Sequence, residues 1–136
     1  MRILIADDNE IFCEFLTYLI DTMKDHQLVG TASNGVEAVE LAIGTKPDVV
    51  LLDIEMPTMN GIEAAQWIKH ALPETRVILI SISGDYAQNP AVLQCGADAF
   101  IPKSQLANCA RAVIAEVISR SQVRRSHRIE ARVGAD

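Results

Sequence analysis

Four short apolar runs in this 136-residue chain end on side chains able to do ionic chemistry. Ile3-Leu4-Ile5-Ala6 leads into Asp7-Asp8, and Val49-Val50-Leu51-Leu52 leads into Asp53. Val77-Ile78-Leu79-Ile80 leads into Ser81, and Ala99-Phe100-Ile101-Pro102 into Lys103. If those ends gather, three carboxylates repel one another and at least one pKa must rise. A hard divalent ion relieves the repulsion, and Mg²⁺ favours oxygen ligands while keeping several waters. A carboxylate beside Mg²⁺, with a lysine and a hydroxyl in reach, is equipped to accept a phosphoryl group. The carboxylate is then the nucleophile, and the metal and lysine neutralise the transferring oxygens.

Each residue also has an ordinary reading. Asp7-Asp8 alone reads equally well as solvated strand-end acids capping a helix, Lys103 as a surface lysine and Phe100 as core. Asp53 resists such a reading, because an aspartate directly after four apolar residues needs a partner.

The elements that must position these residues follow from periodicity. The apolar runs Ile3–Ala6, Leu28–Ala32, Val49–Leu52, Val77–Ile82 and Ala99–Ile101 read as strands covered on both faces, the second interrupted by Gly30. Between them lie stretches of helical period. Ile11, Phe15, Leu19 and Met23, beside Phe12, Leu16 and Ile20, form a broad apolar stripe. Asn34 with Glu37, and Asn60 with Glu63, suit capping boxes. Asn89-Pro90 opens a short fourth helix that Gly96 ends, and Ser104 caps a last one carrying Leu106, Cys109, Val113 and Val117 inward. Trp67 reads as helix packing with Ala64 and Ile68, and Gly61 as a residue of positive φ. Strand–helix alternation with short connections implies an α/β fold, a parallel sheet with right-handed crossovers and helices on both faces. Its site belongs beyond the carboxyl ends of the strands.

Composition narrows the class. Apolar residues make up 49% and charged residues 22%, as in a globular domain. No apolar run approaches the ~20 residues of a membrane span, and acid follows the N-terminus too closely for a signal peptide. A cytoplasmic protein is expected. Cys13, Cys95 and Cys109 lack CxxC spacing and read as core. His26, His70 and His127 lack metal-ligand spacing and are placed at the surface. The net charge is −6, yet five of the twelve basic residues are arginines between Arg120 and Arg132. An acidic body with a basic tail argues against specific nucleic-acid binding.

The ordered motifs resemble the response-regulator receiver family of two-component systems. They are Ile3–Asp8, Asp48-Val49-Val50-Leu51-Leu52-Asp53-Ile54-Glu55-Met56-Pro57, Asn60-Gly61, Val77–Ser81 and Gly96-Ala97-Asp98-Ala99-Phe100-Ile101-Pro102-Lys103. The resemblance implies a flavodoxin-like (CheY-like) doubly wound fold, five parallel strands ordered 2-1-3-4-5, over residues 1–119, with 120–136 an Arg-rich extension or linker. It implies Asp53 as phosphoacceptor, Asp8 as a direct Mg²⁺ ligand, Asp7 a ligand mainly through water, and the Glu55 backbone carbonyl as a further ligand. Ser81 would contact the phosphoryl group and Lys103 would pair with Asp53 or its phosphate. Phe100 would turn inward as Ser81 moves, repacking the face of the fourth helix, fifth strand and fifth helix. Glu55, Ile82 and Ser83 flank the approach to Asp53 and would tune its chemistry. Two departures stand out: Ser104 rather than proline follows Lys103, and bulky Ile82 follows Ser81.

The implied partners are a sensor histidine kinase or phosphotransfer protein upstream and a protein partner or missing output domain downstream, with a phosphorylation-dependent homodimer among them. The stretch Leu51–Pro57 with Met59–Ala65 looks like receivers of LuxR-type regulators, though no helix-turn-helix follows. Such a domain is not an enzyme beyond its own phosphorylation and dephosphorylation. Two rivals are a haloacid-dehalogenase-type phosphatase and a receiver-like binding module that works without phosphorylation. The first wants Asp-x-Asp where this chain has Asp53-Ile54-Glu55, and the full acidic set argues against the second.

Overall fold

A computed structural model of the chain describes residues 1–106 together with Ala112, Ala115, Glu116 and Ser119. The chain divides into two units, Met1–Ser104 and Gln105–Asp136, and the first holds all that follows. Its elements are β1 (Arg2–Ala6), α1 (Glu10–Asp21), β2 (Gln27–Ala32), α2 (Gly35–Thr45), β3 (Val49–Asp53), α3 (Gly61–Ala71), β4 (Arg76–Ser81), a 3-10 turn (Gly84–Gln88), α4 (Pro90–Gln94) and β5 (Ala99–Pro102). The five strands form a parallel sheet ordered β2-β1-β3-β4-β5, as expected.

Alternation along the strands divides the core. Leu4, Ala6, Val50, Leu52, Val77 and Leu79 point to one face, where they meet Ala38 and Ala42 of α2, Ala64, Ala65 and Ile68 of α3, and Val92 of α4. Ile3, Ile5, Val49, Leu51, Ile78 and Ile80 point the other way and are equally buried. On that side α1 turns Leu16 and Ile20 inward. Both faces are covered, which is why the strands are apolar without a polar alternation. Gly30 marks the one irregularity: the β1–β2 register skips Val29, pairing Ile3 with Leu28 and Leu4 with Gly30.

The caps hold as expected on one side each. Asn34 and Asn60 accept from the Glu37 and Glu63 amides at 2.8 and 2.9 Å, and Asn89 accepts from Ala91 at 2.8 Å. The Glu37 carboxylate accepts from Ser33 Oγ at 3.2 Å. Gly96, at φ 93°, follows α4.

Several local expectations need correction. Gly61 has no positive φ; that conformation falls on Thr58 at 69°. Gly61 is needed because its α-carbon lies against the Asp53 carbonyl. The α1 stripe is narrower than its sequence suggests, since Ile11 and Phe15 are exposed. Trp67 is 56% exposed, so Ala64 and Ile68 do the packing without it. His26 is half-buried with its Nδ1 covered, whereas His70 is exposed. Cys95 is buried and Cys13 half-buried. The last helix already begins at Lys103, so Ser104 lies inside it. Cys109, Val113, Val117 and His127 lie outside the described residues. No described peptide bond is cis.

Candidate metal and phosphoacceptor site

Strand register builds the site. Ala6 pairs with Leu52, so the next residues, Asp7 and Asp53, stand side by side at the carboxyl ends of β1 and β3. Asp53 pairs with Ile80 and Ser81 with Pro102, which brings Ser81 and then Lys103 to the same edge. The chain crosses from β2 over β1 to reach β3, so this edge is also the topological switch point, where open α/β sheets leave a crevice.

Asp7, Asp8 and Asp53 each offer a carboxylate oxygen, and the three oxygens lie within 4.8 Å of one another. Asp7 and Asp53 are only 2% and 3% exposed; Asp8 is exposed. Lys103 Nζ stands 2.7 Å from Asp7 Oδ2 and 3.6 Å from Asp53 Oδ2. The closer contact is an ion pair without hydrogen-bond alignment, since Asp7 Oδ2 has no hydrogen-bond partner. Burial first, then the neighbouring Asp7 charge, push the Asp53 carboxyl from 3.8 up to about 7, against the pull of Lys103 and the Glu55 amide. One lysine therefore does not neutralise the cluster. A buried, unaligned carboxylate oxygen and an aspartate reluctant to ionise are what a set of oxygen ligands for a small divalent cation looks like without the cation.

The rim carries the remaining candidates. Ser81 is fully buried; its hydroxyl donates to Glu55 Oε1 at 3.4 Å and accepts from the Ser83 amide at 3.2 Å. Ser83 in turn caps the 3-10 turn by accepting from Asp85 N at 3.2 Å. Ile82 is 75% exposed, so its bulk faces solvent at the rim rather than filling the site. Phe100 is half-buried against the core. A cleft of about 410 Å³ opens beside Asp7 and Asp8, lined also by Glu10, Cys13, Glu14 and Glu37.

Three contributors escaped the sequence reading. Asn9 caps α1, accepting from the Phe12 amide at 3.1 Å, and its own amide donates to Asp7 Oδ1 at 2.9 Å. The D-D-N run was the available signal for that cap. The Phe12 ring lies under Lys103 Nζ, 4.4 Å from its centroid, which no local pattern announces. Cys13 Sγ donates to the Asp7 carbonyl at 3.3 Å. Burial, then Asp7, raise its pKa above the usual 9.0, so it stays a neutral thiol.

Comparison with known proteins agrees with the geometry. Residues 3–115 match the response regulator receiver domain. The chain is 37% identical over 100 residues to the uncharacterized transcriptional regulatory protein YhcZ of Bacillus subtilis, covering 74% of this chain and 47% of that one. It spans about half or less of the curated relatives it matches. The response regulator domain of Thermotoga maritima CheB superposes with a TM-score of 0.78 at 36% identity, covering 90% of this chain and 96% of that one. A LuxR-family DNA-binding response regulator from Staphylococcus aureus gives 0.79 at 26% identity, covering 86% and 98%. The chain belongs to the response-regulator receiver family of two-component systems, whose general function is phosphorylation on an aspartate.

Proposed function

We propose that Asp53 is the phosphoacceptor of this receiver and that a sensor histidine kinase or phosphotransfer protein is its donor. The observation that carries the reading is the convergence of Asp53 with Asp7, Asp8 and Lys103 at one sheet edge. An Asp53 carboxylate oxygen attacks phosphorus, the phosphorus–nitrogen bond of a phosphohistidine breaks, and the imidazole, already protonated on its other nitrogen, leaves neutral. Asp8, Asp53 and the Glu55 backbone carbonyl would hold Mg²⁺ there, with Asp7 beside them. When bound, Mg²⁺ neutralises the carboxylates and the transferring oxygens. Lys103 follows the charge from Asp7 towards the phosphoryl group on Asp53, and Ser81 donates its hydroxyl to that group. To do so Ser81 must leave Glu55, and Phe100 turns into the space behind it.

Residues 1–119 form this switch and 120–136 an Arg-rich extension. Its output is a protein partner or a further domain, and its chemistry is confined to its own phosphorylation and dephosphorylation. We place the domain in the cytoplasm, where free thiols such as those of Cys13 and Cys95 persist; among the described residues no helix is long and apolar enough to cross a membrane. Intact-mass measurement after incubation with Mg²⁺ and a small acyl phosphate tests the assignment. One added phosphoryl group is expected, absent in Asp53→Asn and absent when the metal is chelated. Equal labelling of Asp53→Asn overturns it.

A further inference from the structure

Four residues close a circuit around the Lys103 ammonium. Asp7 Oδ1 accepts from the Asn9 amide at 2.9 Å, and Asn9 Oδ1 accepts from the Phe12 amide at 3.1 Å. The Phe12 ring then lies 4.4 Å from Lys103 Nζ, which stands 2.7 Å from Asp7 Oδ2. One oxygen of Asp7 thus fixes the turn that presents the ring, and the ring holds an ammonium against the other oxygen. Phe15, one helical turn on, braces the ring with centroids 5.9 Å apart.

The ammonium is mostly withdrawn from water, its side chain 11% exposed. An aromatic face attracts a desolvated cation more strongly than a hydrated one. An aliphatic side chain at position 12 offers apolar contact without that attraction. Asp7 is the nearer carboxylate, and Asp53 is 3.6 Å from the ammonium that the ring holds.

We infer that Phe12 is a positioning residue whose ring keeps Lys103 on Asp7 in the metal-free protein, so that Lys103 must leave both before a divalent cation occupies the acid cluster. This rests on the metal reading above and adds to it a competition between the chain's own lysine and the metal. The lysine serves as counter-ion at rest and is handed to Asp53 once a cation replaces it. Phe12 sets how readily that exchange occurs.

The test compares Mg²⁺ affinity, by calorimetry, in wild-type protein, Phe12→Leu and Phe12→Tyr. Loss of the ring's hold should tighten Mg²⁺ binding in Phe12→Leu roughly two- to fivefold. Phe12→Tyr, which keeps the face, should match wild type. A merely structural role for Phe12 weakens binding or leaves it unchanged, and either result overturns the inference. The second readout is the ring-current shift on the Lys103 ε-methylene, assigned by lysine labelling with Lys103→Arg as reference. It should be upfield in the metal-free protein, lost in Phe12→Leu, and relaxed when Mg²⁺ is added. Lysine signals that are unshifted without metal, or shifted and unmoved by it, overturn the inference while Mg²⁺ binding itself stands. Absence of any Mg²⁺ binding by the wild-type protein overturns the metal reading, and the competition with it.

Discussion

Gly61 lies so close to the Asp53 carbonyl that a Cβ added to it stands 2.1 Å from that oxygen. Its amide also donates to the Ile54 carbonyl at 2.8 Å. The start of α3 is thereby pressed against the segment that carries the proposed phosphoacceptor, with backbone on both sides and no flexible side chain to yield. Gly61→Ala should destabilise the protein by about 2 kcal/mol or more, as overpacking does where nothing can move. Gly44, inside α2, has open space around the same atom. Gly44→Ala should therefore stabilise by about 0.5–1 kcal/mol. Urea denaturation of both variants checks the contrast; equal effects would mean that the close approach relaxes freely.

The raised Asp53 pKa makes metal-free stability depend on pH in a defined sense. Between 3.8 and about 7 the folded chain keeps a proton on Asp53 that the unfolded chain has lost. The unfolded state then binds fewer protons, so stability falls as pH rises through that window and levels above it. Asp53→Asn has no such proton and should lack this part of the decline. Mg²⁺ affinity should move oppositely, strengthening from pH 5 to 7.5 as the proton leaves. Denaturation midpoints in chelator for the two proteins, and Mg²⁺ titrations across that range, measure both. A wild-type decline no steeper than that of Asp53→Asn would refute the shift.

The site was legible because strand ends are local. Four buried residues followed by Asp53 mark both the strand and its exit, and the same holds at Asp7 and Ser81, whereas Lys103 follows a strand that is mostly half-buried. The strand order came from the receiver resemblance, and short right-handed crossovers are consistent with it without fixing it. What stayed hidden depends on contacts between distant segments. Gly61 announced an unusual demand on the backbone, but a close approach and a positive φ both select glycine, and the first applied. Helical period could not separate Phe12, which faces Lys103, from Ile11 and Phe15, which face solvent, because all belong to one wide stripe. That Lys103 pairs with Asp53 but stands nearer to Asp7 is a matter of ångströms that spacing cannot express.

Asp98 does structural work far from that chemistry. Its Oδ2 accepts from the Val77 amide at 2.9 Å and from Lys69 Nζ at 3.2 Å, pinning the approach to β5 against the start of β4 and the end of α3. Lys69 keeps the carbonyls of Thr75 and Pro73 as further acceptors. Removing the carboxylate leaves the buried Val77 amide without that acceptor, so Asp98→Ala should cost about 1–3 kcal/mol. The stoichiometry of phosphorylation should not change at a temperature where the variant is folded. Loss of labelling in a folded Asp98→Ala would place the residue in the chemistry instead.

The lifetime of the phosphorylated state follows from the rim. Hydrolysis needs a water in line with the bond to Asp53, opposite the leaving carboxylate. The receiver resemblance puts Glu55 and Ser83 beside that approach, and neither carries an amide side chain able to orient a water by donating and accepting together. Glu55 is besides an anion, which repels incoming hydroxide. In the resting structure it accepts from the Ser81 hydroxyl at 3.4 Å; once Ser81 turns to the phosphoryl group, that carboxylate is released at the mouth. Ile82, three-quarters exposed, adds bulk from the solvent side only. The phosphorylated state should therefore last minutes or longer. Glu55→Asn should shorten it most, since it removes the charge and supplies an amide, and Ile82→Ala less. Decay of phosphorylated Asp53 after donor removal, followed by intact mass, gives the rates. Wild-type decay within seconds, or an unaltered rate in Glu55→Asn, would remove Glu55 from the control of hydrolysis.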